Sequence, residues 1–132
     1  MNLPENILTN QLELTKNIIK GMNMNSKDLI RDITLSLSSI EPFRVILFGS
    51  FAYGEPGPDS DIDLVVVLNK HGFPASYKEK MENHRLVRRI LRDINMHAPL
   101  DIIVYTIDEW NSFLDTGSSF SKLITEKGKA IA

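Results

Sequence analysis

Three aspartates and a glycine–serine pair carry the chemistry that this chain's residue types make available. Asp61 and Asp63 open the stretch "DIDLVVVL" (61–68), Gly49 and Ser50 close "FRVILFGS" (43–50), and Asp101 stands near the start of "LDIIVYT" (100–106). If 61–68 is a strand, alternation puts Asp61 and Asp63 on one face with Cα atoms ~6.6 Å apart, at ~3.3 Å per residue. Ile62 and Leu64 then point the other way. Two carboxylates side by side in a half-buried place repel each other, and desolvation makes each charge costlier. No Lys or Arg lies between Arg44 and Lys70 to compensate. Mg²⁺ is suited to the task, because it takes one or two carboxylates together with substrate phosphates.

The upstream half offers a phosphate end. A strand that closes in Gly-Ser and turns into a helical stretch presents free backbone N–H groups and a helix dipole to an anion. Gly49 allows close approach of the backbone, and the Ser50 hydroxyl adds a donor. A phosphate cradle beside a carboxylate pair points to metal-assisted phosphoryl or nucleotidyl transfer, in which two ions ~3.5–4 Å apart stabilise attacking and leaving oxygens. Such sites want a third carboxylate on a neighbouring strand, and Asp101, charged among aliphatics, supplies a candidate.

Positioning these groups requires strands flanked by helices. The pattern predicts strands over 43–49, 61–68 and 100–106, and the Val-Val-Val run marks the second as central and covered on both faces. Helices are predicted over 5–20, 27–40, 75–96, 107–115 and 118–126, with a frayed edge strand at 129–132. Gly21 and Ser26 punctuate the first two helices. Thr106 and Glu109 form a capping box, and Trp110 and Phe113 read as core. Along 75–96 the core stripe is Val87, Ile90, Leu91 and Ile94. Arg85, Arg88, Arg89 and Arg92 lie about 200° around the helix from it, as a solvated face or as a contact for an acidic partner or RNA. His71, His84 and His97 show no metal-ligand spacing and read as surface residues. Gly54, Pro56, Gly57, Pro58 and Asp59 read as a turn, and Ser60 either braces the aspartates or caps that loop. The apolar face of 5–20 packs on its own domain or against a second copy or partner.

The totals narrow the function classes. The chain has 132 residues, enough for one domain with a modest core. Net charge is −2, so no global basic field draws in nucleic acid. The absence of cysteine excludes disulfides and thiolate metal sites. No apolar run reaches the roughly 18–20 residues that span a bilayer, and the N-terminus lacks the sections of a signal peptide. The expected compartment is cytoplasmic.

"GSFAYG" followed by "DSDIDLVV" and the lone strand aspartate Asp101 resembles the signature of the nucleotidyltransferase superfamily typified by DNA polymerase β. The small size resembles the minimal nucleotidyltransferases, which pair with HEPN-domain proteins as antitoxin and toxin. The resemblance covers 26–132, leaving 1–25 as an N-terminal helical extension. It implies an α/β (α+β) fold, a small mixed β-sheet with helices packed mainly on one face. It further implies Gly49 and Ser50 holding a nucleoside triphosphate, Asp61 and Asp63 ligating two Mg²⁺ ions, and Asp101 ligating one and activating the attacking hydroxyl. The implied reaction is transfer of AMP from ATP to a hydroxyl, with a tyrosine of a HEPN partner as acceptor. Alternatives are a non-catalytic antitoxin-like binding module and a small-molecule transferase of the aminoglycoside type, for which the chain is short. Tyr53 stands where the family often has Arg, which removes one positive phosphate contact.

Overall fold

A computed structural model describes residues 26–54, 56–57 and 60–132. The predicted helix 5–20, its possible role in a homo-oligomer, and Asp59 fall outside the described residues. In chain order the elements are α1 (Ser26–Leu37), β1 (Arg44–Phe48), α2 (Ser50–Tyr53), β2 (Ile62–Val67), α3 (Tyr77–Ile90), α4 (Arg92–His97), β3 (Leu100–Tyr105), α5 (Ile107–Asp115), α6 (Ser119–Lys127) and β4 (Lys129–Ala130). A 3₁₀ turn, Ser38–Ile40, ends α1.

The strands form one mixed sheet in the order β3-β2-β1-β4. β1 runs antiparallel to β2 and to β4, whereas β2 and β3 are parallel. The last residues of β1 and the first residues of β2 and β3 therefore share one end of the sheet. The Val-Val-Val run is central, as its composition predicts, and Val65, Val66 and Val67 are fully buried.

Alternation divides the apolar residues into two cores. On the first face Val45, Leu47, Ile62, Leu64 and Val66 pack under Leu29, Ile33 and Leu37 of α1, Val87 of α3 and Leu91. On the second face Ile46, Phe48, Val65 and Val67 meet Ile107 and Trp110 of α5 and Ile124 of α6. The first core is the larger, so the helices do lie mainly on one face. The predicted capping box is present: the Thr106 hydroxyl accepts the Glu109 N–H and the Glu109 carboxylate accepts the Thr106 N–H.

One helix departs from the sequence expectation. The stretch predicted as a single helix over 75–96 divides at Leu91, whose φ of −93° and ψ of 9° leave the helical well. No Pro or Gly marks the break. Leu91 is fully buried in the first core, and helical hydrogen bonds continue through it: its N–H donates to the Val87 carbonyl at 3.0 Å and its carbonyl accepts the Asn95 N–H at 2.9 Å. Among the described residues no helix is long and apolar enough to cross a membrane.

Candidate active site

Gly49 follows β1 with φ 72° and ψ −157°, a region open essentially to glycine alone. A Cβ here would also run into the Asp63 carboxylate, so the bare α-carbon is what lets that side chain lie against the turn. Ser50 then opens α2. The N–H groups of Ala52 and Tyr53 donate to the Gly49 carbonyl at 3.0 and 3.2 Å, and that of Gly54 to the Ser50 carbonyl at 3.0 Å. Ser50 and Phe51 occupy the first turn, where N–H groups have no acceptor within the helix. Buried Ala52 anchors the turn to the first core.

Asp63 pairs in register with Phe48 on one side and with Asp101 on the other. Adjacent strands lie about 4.8 Å apart, so Asp63 and Asp101 are neighbours on the second face, in line with Val65 and Ile103. Helices α5 and α6 cover Val65 and Val67 but leave the carboxylate end open: Asp63 is half-buried, and Asp61 and Asp101 are exposed. Burial, then the charge of Asp101, then that of Asp61 hold the Asp63 carboxyl above its ordinary value of 3.8. This is the penalty that the residue types predict, and a nearby cation would relieve it.

The donor set suits Mg²⁺ in chemistry, being hard carboxylate oxygens beside a turn whose first N–H groups have no acceptor within the helix. Among the described residues no three such side chains converge tightly enough to hold a metal as they stand. The backbone register aligns Asp63 with Asp101 on neighbouring strands.

Sequence patterning does not reveal several neighbours of this end. Phe48, beside Asp63, meets Phe120 of α6 edge-on with ring centroids 5.7 Å apart, and Phe120 remains 39% exposed. The Lys127 ammonium lies 5.9 Å from the centre of the Tyr53 ring, bringing a cation from the chain's last helix to the turn that follows Gly49. His84, expected at the surface, is half-buried with Nε2 3.1 Å from the Ile102 carbonyl. Ser60 caps its loop: its hydroxyl accepts the Gly57 N–H at 2.8 Å, and its own N–H donates to the Gly57 carbonyl at 3.2 Å.

Residues 27–116 match the nucleotidyltransferase domain family. The fold is similar to a crystal structure from Sulfolobus solfataricus assigned as a nucleotidyltransferase, at 24% identity over 74% of this chain and 79% of that one, with a TM-score of 0.47. No curated protein matches the chain.

Proposed function

The chain belongs to the nucleotidyltransferase domain family, and from that premise we propose that it transfers AMP from ATP to a hydroxyl, with a tyrosine of a HEPN-domain partner as acceptor. Membership supports nucleoside monophosphate transfer in general. The nucleotide, the acceptor and the residue roles are our reading of the site.

The observation that carries this reading is the junction at Asp63. Its carboxylate lies against Gly49 on one side and opposite Asp101 on the other, so a phosphate-binding corner and a carboxylate pair meet at one point. Gly49 and Ser50 would cradle the triphosphate through backbone N–H groups and the Ser50 hydroxyl. Lys127 adds a positive charge near that corner, where Tyr53 brings none. Asp61 and Asp63 would hold two Mg²⁺ ions, with Asp101 as a further ligand. Bound Mg²⁺ supplies charge neutralisation across the attacking and leaving oxygens. The acceptor oxygen attacks the α-phosphorus, forming the new phosphoester as the bond to the β-phosphate oxygen breaks and pyrophosphate leaves. Asp101 favours the ionised hydroxyl by accepting its proton.

A second reading, neutralisation of a partner by contact alone, draws support from Tyr53, which brings no positive charge to the turn after Gly49. One experiment separates the two. The protein is incubated with α-labelled ATP and Mg²⁺, with and without a candidate HEPN-domain protein, and again as the Asp61→Asn/Asp63→Asn variant. Label on the partner only with intact aspartates is the expected result, with a loss of about a thousandfold or more in the variant. Neutralisation that survives the double substitution without any labelling overturns the transferase reading.

A further inference from the structure

Among the described residues β3 is an edge strand, paired with β2 alone. Ile62 N–H donates to the Pro99 carbonyl at 2.9 Å and Leu68 N–H to the Tyr105 carbonyl at 2.8 Å. In this register the backbone of the odd-numbered residues faces β2, and that of Leu100 and Ile102 faces outward. Side chains from the crossover helices meet the outward groups. Leu100 N–H donates to Asn95 Oδ1 at 2.8 Å, and the His84 ring meets the Ile102 carbonyl.

Between these contacts lies a cleft of about 200 Å³, lined by His84, Arg88, Asn95, Leu100, Asp101 and Ile102. Among the described residues that line it, Arg88 is the one permanent cation and Asp101 the one acid. Among the described residues Arg88 has no ion-pair partner, and neither do Arg85, Arg89 or Arg92, whereas Arg31, Lys70 and Lys80 each have one. An occupant of this cleft touches Asp101, and through it the centre described above.

We propose that the cleft receives an acidic polypeptide segment that carries the acceptor hydroxyl, with a carboxylate on Arg88 and the hydroxyl directed to Asp101. This rests on the transferase reading and specifies its acceptor. The two charges of the cleft set the orientation: Asp101 repels an acid, so the acid goes to Arg88 and the neutral hydroxyl to Asp101. A guanidinium offers planar paired donors that match a carboxylate. His84 and Asn95 already occupy the strand edge, so recognition runs through side chains and not through an added strand. Polypeptide is favoured over nucleic acid because the chain is net negative and the exposed apolar residue among the arginines is Leu86, not an aromatic on which a base would stack.

The test is binding, measured separately from catalysis. Fluorescent tyrosine peptides flanked by glutamates, by serines or by lysines, and a short single-stranded RNA, are titrated against the full chain by anisotropy. The glutamate peptide is expected to bind most tightly, and Arg88→Glu to weaken it about tenfold. Arg89→Glu, which lies outside the cleft, should weaken it by less than about threefold. Circular dichroism confirms that both variants fold. Equal losses in the two variants indicate a diffuse field and overturn the site; tighter binding of RNA, or no preference for the glutamate peptide, overturns the acceptor class. Calorimetry of Mg²⁺-ATP binding tests the underlying reading independently. Peptide docking without nucleotide binding removes the transferase and leaves the docking site. Nucleotide binding without a preference at Arg88 does the reverse.

Discussion

β2 sends alternate residues into two different surroundings. Ile62, Leu64, Val66 and Leu68 enter the core under α1 and α3, and every one of them is buried. Asp61, Asp63, Val65 and Val67 share the opposite face, where α5 and α6 cover only the two valines. One strand thus serves stability on one side, while on the other it carries an electrostatic penalty at the end where the glycine–serine turn closes β1. The penalty is tolerable because five residues of β2, Asp63 to Val67, are held by strands on both edges, and the apolar face contributes more than the acidic end costs. If this division is right, substitutions on the two faces should differ in sign as well as in size.

The largest expected effect is on the apolar face. Leu64 is fully buried, and Leu64→Ala should destabilise by about 2–5 kcal/mol through lost transfer energy and the cavity left behind. Urea unfolding followed by circular dichroism reads this directly. A cost below about 1 kcal/mol would mean that the face is not the main support of the fold. The junction between the faces comes next. Gly49→Ala forces a side chain into a glycine backbone conformation and toward the Asp63 carboxylate, which should cost about 1–3 kcal/mol in stability. Mg²⁺-ATP binding should fall with it, because the same collision displaces Asp63. If nucleotide binding by the folded variant is unchanged, the turn and the carboxylate do not form one site.

Much of this arrangement is legible in the sequence because it is local. Residues at i and i+2 on a strand must share a face, which places Asp61 with Asp63. A run of three valines needs cover on both sides, which makes β2 central. Thr106 and Glu109 lie within one helical turn, so their reciprocal caps follow from spacing. Contacts that depend on how elements dock are not legible in this way. His84 reaches Ile102 across 18 positions, and its spacing to other residues carries no trace of that. Lys127 meets Tyr53 only because β4 pairs with β1 and Gly128 brings the chain close: a Cβ at Gly128 would press on the Ile124 carbonyl and on Ile46. The break at Leu91 is likewise unmarked in the sequence, since local composition favours an unbroken helix. Asp101 is intermediate. Its position among aliphatics marks it out, but its register opposite Asp63 belongs to the sheet.

The smallest expected effect has the opposite sign, and it is the sharpest test of the contrast between faces. In the folded protein the Asp63 carboxyl titrates above 3.8 because of burial and then the charges of Asp101 and Asp61. Between 3.8 and the folded value, the folded protein holds a proton that the unfolded chain has lost. Stability therefore falls as pH rises through that window, and the loss is complete above the folded value. Asp63→Asn keeps the shape and removes the charge, so it should be more stable than the parent at neutral pH, by less than Leu64→Ala loses. The advantage should shrink as pH drops toward 3.8, where the parent carboxyl is neutral as well. Urea midpoints for the two proteins across about pH 4–8 measure the difference. Added Mg²⁺ should then raise the midpoint of the parent at neutral pH more than that of Asp63→Asn, because an ion held by the carboxylates stabilises only the protein that retains them. A variant that is less stable than the parent at every pH would show that Asp63 supports the fold through its contacts, and the two faces of β2 would then differ in degree only.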